Sequence, residues 1–287
     1  MKDWLRLLRP HQWVKSGFVF VGLLFSHGWN EPGLLGQVLL AAVAFSLAAS
    51  AVYVGNDLAD RERDRQHPEK RRRPLASGAI SVRAAVGVGF CCLLLAGILS
   101  WLASPWVAAI ISAYLLLNVG YTLGLKHVVV LDVFIIATGF MLRILAGTLG
   151  VGIQPSHWLL LCGLALTLFL GFAKRRAELK ALDDDAASHR QVLDDYDPAF
   201  LDQLIGICAA ATIISYSLYS VSAETLMLHG TRGLFATVPF VVYGIFRYLF
   251  LLHRRAGGGD PSSEVLRDRH LLAACGGWLL TVLAILR

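Results

Sequence analysis

Charge is scarce in this sequence. Asp, Glu, Lys and Arg make up 16% of its 287 residues, against 56% hydrophobic residues. A soluble helical chain needs polar faces to meet water, and too few polar residues remain here to supply them. The five cysteines, Cys91, Cys92, Cys162, Cys208 and Cys275, are scattered through apolar runs without metal-ligand spacing. They read as small buried hydrophobes, which argues against a disulfide framework and against zinc. There is no Walker or dinucleotide-binding pattern, and Gly257-Gly258-Gly259 is too short to be a phosphate-binding motif. The first apolar run flows on past any A-x-A-like site, so no cleavable signal peptide is expected.

What the sequence has in plenty is apolar runs of near-bilayer length. Nine spans are predicted, at about 15–30, 36–57, 84–103, 105–123, 129–150, 157–173, 202–222, 234–252 and 270–286. The loops between them separate by charge. The N-terminal segment and loops 58–83, 124–128, 174–201 and 253–269 carry nearly all the Lys and Arg, whereas the opposite set carries only Arg232. The positive-inside rule therefore puts the N-terminus in the cytoplasm and, after nine crossings, the C-terminus outside. The expectation is one all-α polytopic domain over 1–287 in the cell membrane, its long loops and its chemistry facing the cytoplasm. A net charge of +6 could suggest nucleic acid, but the bases are spread among membrane loops, which excludes that role. The stretch Trp4 to Lys15 mixes Trp, Leu and bases, as suits a short helix lying in the membrane interface.

The chain is organised around Asn56-Asp57-Leu58-Ala59-Asp60-Arg61-Glu62-Arg63-Asp64. If the helix runs through it, Asp57, Asp60 and Asp64 stack on one face at spacings of three and four. A solvated helix end would explain mixed charges, but not acids matched to one face beside a lipid-embedded helix. Oxygen-only ligands of this kind suit Mg²⁺, which takes one or two carboxylates and completes its shell with water and substrate phosphates.

Further candidates stand at other helix ends. Lys126 and His127 lie between the fourth and fifth spans, and Asp132 and Arg143 fall in the fifth. Arg143 is costly in lipid and should meet a polar cavity or an anionic ligand. Asp132 could equally pair with a neighbouring base. Lys174 and Glu178 share a face one turn beyond the sixth span, and Arg247 and Arg267 flank the last loop, where bases also snorkel. The acidic run Asp183-Asp184-Asp185 reads as a solvated face. Acids for Mg²⁺, bases for anionic oxygens and a greasy interior together point to a Mg-dependent transferase acting on a diphosphate, with a polyisoprenoid as one substrate.

Asn56-Asp57-x-x-Asp60-x-x-x-Asp64, with Arg73-Pro74 and Ser77-Gly78 after it, resembles the first aspartate motif of the UbiA superfamily of intramembrane prenyltransferases. The nine-span count agrees over the whole chain. The resemblance implies a UbiA-like helical bundle with a cytoplasmic-facing cavity, where Mg²⁺ and a diphosphate are held by two acidic motifs. At the second motif this sequence departs, carrying Lys174-Arg175-x-x-Glu178-Leu179 in place of paired acids. That departure is similar to one branch, the decaprenyl-phosphate phosphoribosyltransferases. So are Arg9-Pro10-x-Gln12-Trp13-Val14-Lys15, Asp64-x-x-His67-Pro68-x-Lys70-x-x-Arg73-Pro74, Leu125-Lys126-His127 and Leu266-Arg267-Asp268-Arg269.

The branch implies transfer of 5-phosphoribose from PRPP to a polyprenyl phosphate with release of pyrophosphate, toward a lipid-linked arabinofuranose donor. On that reading Asn56, Asp57, Asp60 and Asp64 hold Mg-pyrophosphate, with Glu178 as a further ligand. Lys126, Arg143, Lys174 and Arg175 bind phosphates, joined by Arg247 and Arg267, while Lys70 and Arg73 close over the donor. The partners are the two substrates and membrane lipid, and the reading leaves room for a homo-oligomer. An ordinary UbiA-type prenyltransferase with an aromatic or glycerol-phosphate acceptor is the alternative. A transporter ranks third, because the acids cluster on one membrane face and no internal repeat is evident.

Overall fold

The computed structural model describes residues 2–26, 28–68, 70–182, 193, 195–254 and 267–286, and among them there is no strand. The helices are α1 (Lys2–Leu8), α2 (Val21–Phe25), α3 (Pro32–Ala59), α4 (Arg61–Gln66), α5 (Val82–Ala103), α6 (Pro105–Leu123), α7 (Leu131–Ala146), α8 (His157–Leu182), α9 (Pro198–Val221), α10 (Ala223–His229), α11 (Val238–Arg254) and α12 (Arg269–Ile285). Their ends follow local chemistry. The Ser81 and Ser104 side chains accept from Ala84 N–H and Trp106 N–H, and Asp197 caps α9 at Phe200 N–H with Pro198 in the first turn.

Among the described residues, seven helical stretches are long and apolar enough to cross a membrane: α3, α5, α6, 131–151, 157–180, α9 and 233–254. Apolar α12 is shorter, at 17 residues, and reaches about 26 Å. The first expected span is built differently. Pro10–Phe20 is a 3₁₀ helix that passes into α2. At about 2.0 Å per residue the 3₁₀ part covers about 22 Å, and with α2 the pair reaches about 30 Å, more than the same residues would as α-helix. The sixth helix overruns its expected end at 173 and continues to Leu182, so Lys174 and Glu178 stand on a continuous helix.

The chain divides into two compact units, residues 1–125 with 139–155, and 126–138 with 156–287. Helix α7 gives its first half to the second unit and its second half to the first. In the first unit α3 packs extensively on α5. The buried side of α3 is rich in small residues, including Ala41, Ala44, Ala48 and Ser50, which let backbones approach closely. The N-terminal segment docks on α3 through small polar contacts. Trp13 Nε1 donates to Ser50 Oγ at 3.0 Å, and Ser46 Oγ donates to Ser16 Oγ at 2.9 Å. Gly147 fits beneath this segment so closely that a Cβ there would lie 1.7 Å from the Val19 carbonyl oxygen. In the second unit α8 pairs with α9 and α11 with α12, around Phe169, Phe172, Leu201, Ile205 and Tyr248.

Candidate active site

In the first unit the acidic stretch forms a clamp at the end of α3. The expected continuous helix breaks at Asp60, whose ψ of 2° lies between α3 and α4. The i to i−4 bonds persist on both sides, with Asp60 N–H on Asn56 O at 2.9 Å and Asp64 N–H on Asp60 O at 2.8 Å. Asp57 and Asp64 therefore still converge, both buried, and Asp60 is partly exposed at the junction of α3 and α4. Among the described residues no three His, Cys, Asp or Glu side chains are grouped to hold a metal.

Arg73 joins the two acids. Its Nη1 donates to Asp64 Oδ2 at 2.7 Å and to Asp57 Oδ1 at 3.2 Å. The loop carrying it is anchored by buried Leu75, which packs with Leu7, Val54 and Ile80. Arg61 and Arg65 of α4 brace the same loop by donating to the Leu75 and Ala76 carbonyls. Arg9 completes the clamp from the N-terminal segment. Its Nη2 donates to Asp57 Oδ1 at 2.6 Å, and its guanidinium lies 4.9 Å over the Tyr53 ring. Arg9 holds φ at 52°, a left-handed backbone that costs a non-glycine residue about 1–3 kcal/mol.

Two carboxylates meeting two guanidiniums leave one oxygen over: Asp57 Oδ2 is buried without a hydrogen-bond partner. An unpaired buried carboxylate oxygen is a costly feature that a cation would satisfy. The arrangement fits a divalent ion at Asp57 Oδ2, with Asp64 and the Asn56 side chain nearby in sequence; Asn56 Oδ1 accepts from Thr122 Oγ1 at 2.8 Å.

In the second unit a second network forms around Asp132. Arg175 is 1% exposed and Asp132 is fully buried. Arg175 Nε donates to Asp132 Oδ2 at 2.6 Å, and its Nη1 donates to Glu178 Oε2. Tyr196 Oη donates to Asp132 Oδ1 at 2.7 Å. Burial, and then the bond to Asp132, push the Tyr196 hydroxyl above its ordinary range, so it remains a proton donor at neutral pH. Lys174 Nζ is half-exposed and stands 3.9 Å from Glu178 Oε1.

Two bases expected to bind phosphate are buried in this geometry. Arg175 was expected to bind phosphate, but it is buried and committed to two carboxylates. Arg143 was expected to meet a phosphate, yet it sits 5% exposed among Phe45, Tyr114 and Phe140, with ring centroids at 4.9, 5.0 and 5.4 Å. Its Nη1 donates to Gly139 O at 2.7 Å. Phe45 and Asp57 are twelve residues apart on α3, about 18 Å along the axis, so the rings around Arg143 lie well along the helix from the acid clamp. Lys70 is exposed at the start of the Arg73 loop, and Lys126 is partly exposed in a short 3₁₀ turn. Arg247 makes a bidentate pair with Asp268, which also caps α12; Arg267 is exposed beside that cap. Ser263 to Leu266 and Asp183-Asp184-Asp185 lie outside the described residues.

Comparison with known proteins agrees with this architecture. The UbiA prenyltransferase family pattern matches residues 16–265. The chain is 34% identical over 287 residues to the decaprenyl-phosphate phosphoribosyltransferase of Corynebacterium glutamicum, covering 97% of this chain and 85% of that one. Against the protein of that name from Mycobacterium tuberculosis the identity is 33%, covering 97% and 92%. The fold is similar to a UbiA homolog from Archaeoglobus fulgidus bound to GPP and Mg²⁺, with a TM-score of 0.74, 18% identity and 99% of each chain covered. This chain belongs to the UbiA prenyltransferase family, on the branch that contains the decaprenyl-phosphate phosphoribosyltransferases.

Proposed function

We propose that this chain transfers 5-phosphoribose from PRPP to a polyprenyl phosphate such as decaprenyl phosphate, releasing pyrophosphate. Similarity to decaprenyl-phosphate phosphoribosyltransferases over nearly the whole chain supports the reaction. The observation that carries it in the site is the end of α8. There Glu178 is the single acid, held by Arg175, and Lys174 extends beside it. A donor with a 5-phosphate in addition to its diphosphate calls for a cation there, whereas paired acids would serve a plain prenyl diphosphate.

In the reaction an oxygen of the polyprenyl phosphate attacks ribose C1. The bond from C1 to the pyrophosphate oxygen breaks, and pyrophosphate leaves with the electron pair. The acceptor phosphate is already anionic at neutral pH, so no general base is required. Arg9 and Arg73 bind and orient the pyrophosphate and neutralise charge that grows as the bond breaks. Lys70 and Lys126 bind further donor oxygens. Mg²⁺, when held through Asp57 with Asp64, Asp60 and Asn56, supplies electrostatic stabilisation of the leaving group.

The topology in this reading has nine crossings, with the 3₁₀ segment 10–25 as the first and α12 as the last. The N-terminus and the charged helix ends then face the cytoplasm, where a water-soluble donor is available. The product would feed a lipid-linked arabinofuranose donor for cell-wall polysaccharide.

The test uses purified protein in detergent with labelled PRPP, polyprenyl phosphate and Mg²⁺. Label moving into the organic phase with release of pyrophosphate, lost on adding EDTA, is the expected result. No such transfer, together with activity on a prenyl diphosphate and an aromatic acceptor, would return the chain to the ordinary prenyltransferases.

A further inference from the structure

The second unit holds a continuous chain of polar contacts that binding of PRPP does not by itself explain. Val130 N–H donates to Tyr196 Oη at 2.7 Å, and Tyr196 Oη donates in turn to Asp132 Oδ1 at 2.7 Å. Asp132 Oδ2 accepts from Arg175 Nε, and Arg175 Nη1 reaches Glu178 Oε2. One hydroxyl thus ties the start of α7 to the entry of α9, and one guanidinium ties α7 to the end of α8. Val130 holds φ at 69°. For a β-branched residue this is an outlier that persists only when the surroundings over-determine it. Among the described residues the other non-glycine with positive φ is Arg9, at the Asp57 clamp. Strain is placed at both acid networks.

The far end of the chain of contacts has a consequence for charge. Lys174 and Glu178 are four apart on α8, the spacing at which an ion pair closes readily. Arg175 holds one Glu178 oxygen, and the other makes only a loose ion pair with Lys174 Nζ at 3.9 Å, wider than a hydrogen bond. Restraining Glu178 leaves the Lys174 ammonium with capacity for another anion.

We propose that Tyr196, Asp132 and Arg175 are positioning residues that restrain Glu178 and so keep Lys174 available to a phosphate of the donor. The proposal rests on the phosphoribosyl-transfer reading and assigns Arg175 a role other than direct phosphate contact. Tyr196 acts at the greatest remove: without its hydroxyl, Asp132 loses one of its two side-chain donors, Arg175 gains freedom, and Glu178 can close on Lys174.

The test measures equilibrium binding of PRPP with Mg²⁺, by calorimetry in detergent, alongside KM for each substrate. Tyr196→Phe keeps the ring and removes only the hydroxyl, while Arg175→Lys keeps the charge but cannot bridge Asp132 and Glu178 at once. The expected result is a donor Kd and KM raised about tenfold, with the acceptor KM unchanged and the variants still folded, their melting temperatures lowered by the orphaned buried groups. The Tyr196→Phe effect should vanish in a Lys174→Ala background, because the residues act through one chain of contacts. A donor Kd within twofold of the parent overturns the proposal. So does a fall in affinity for both substrates alike, or full additivity with Lys174→Ala. A parent protein that does not bind PRPP at all overturns the underlying functional reading instead, and this proposal with it.

Discussion

At the scale of single residues, the acid clamp is a charge balance with one oxygen left over. Asp57 accepts from Arg9 and Arg73 on Oδ1 and nothing on Oδ2. Replacing Asp57 by Asn keeps its shape but removes the charge that both arginines and a cation would meet. Phosphoribosyl transfer by Asp57→Asn should fall about a hundredfold or more, measured as initial rate at saturating Mg²⁺; unchanged turnover would remove Asp57 from the site. Arg143 makes the opposite case. It is a cation set among three rings, and Phe45 beneath it lies about 18 Å along α3 from Asp57, so we propose that it takes no part in donor binding. Arg143→Met fills a similar volume without a buried charge. It should leave the donor KM within about twofold of the parent, and a large rise would reinstate Arg143 as a phosphate ligand. From sequence Arg143 was expected to bind phosphate, because a base in an apolar run looks costly wherever it lies. Only the packing distinguishes a ring-enclosed guanidinium from one that meets a ligand.

At the scale of elements, two contacts decide how helices meet. Asp268 accepts from Arg247 and from the first N–H groups of α12, so it joins α11 to α12. Its bond to Arg247 first, and then the Leu271 and His270 backbone donors, hold its carboxyl down at about 2. Because the folded value lies below the ordinary 3.8, the stabilisation is fully present above about pH 4 and is lost as pH falls toward 2. Melting temperature followed from pH 6 to pH 2 should fall more steeply for the parent than for Asp268→Asn, which has nothing to titrate there. Parallel curves would mean that the pair does not hold the helices together. Gly147 governs the other contact. A methyl group there would collide with the Val19 backbone, which cannot move as a flexible side-chain tip could. Gly147→Ala should lower the melting temperature by several degrees and reduce the yield of folded protein, through overpacking. The helices themselves were legible from run length and capping residues. The break at Asp60 was not, because nothing in Asn56 to Asp64 stops a helix; Arg73, arriving from a separate loop, bridges Asp57 and Asp64 on either side of it.

At the scale of the whole molecule, the proposed topology turns on a parity. Nine crossings put the two termini on opposite sides of the membrane, and eight would put them on the same side. A fluorescent protein that matures only in the cytoplasm should stay dark when fused after Arg287, and alkaline phosphatase fused there should be active. The reverse pattern would mean that either the 3₁₀ segment or α12 does not cross. The 3₁₀ segment can be checked on its own by cysteine labelling at positions flanking 10–25.

Sequence by itself determined the membrane class, the long apolar helices and the acidic motif, and it supplied the sidedness as a proposal. These follow from near-neighbour properties: hydrophobic length, loop charge, and residue spacing along one helix. The tertiary structure alone decided which charges meet. Arg9 comes to Asp57 across 48 residues, Arg175 to Asp132 across 43, and Tyr196 to Asp132 across 64. No periodicity encodes such partners. They are set where buried apolar faces pack, because burying a charge is tolerable only where packing also delivers its counter-charge.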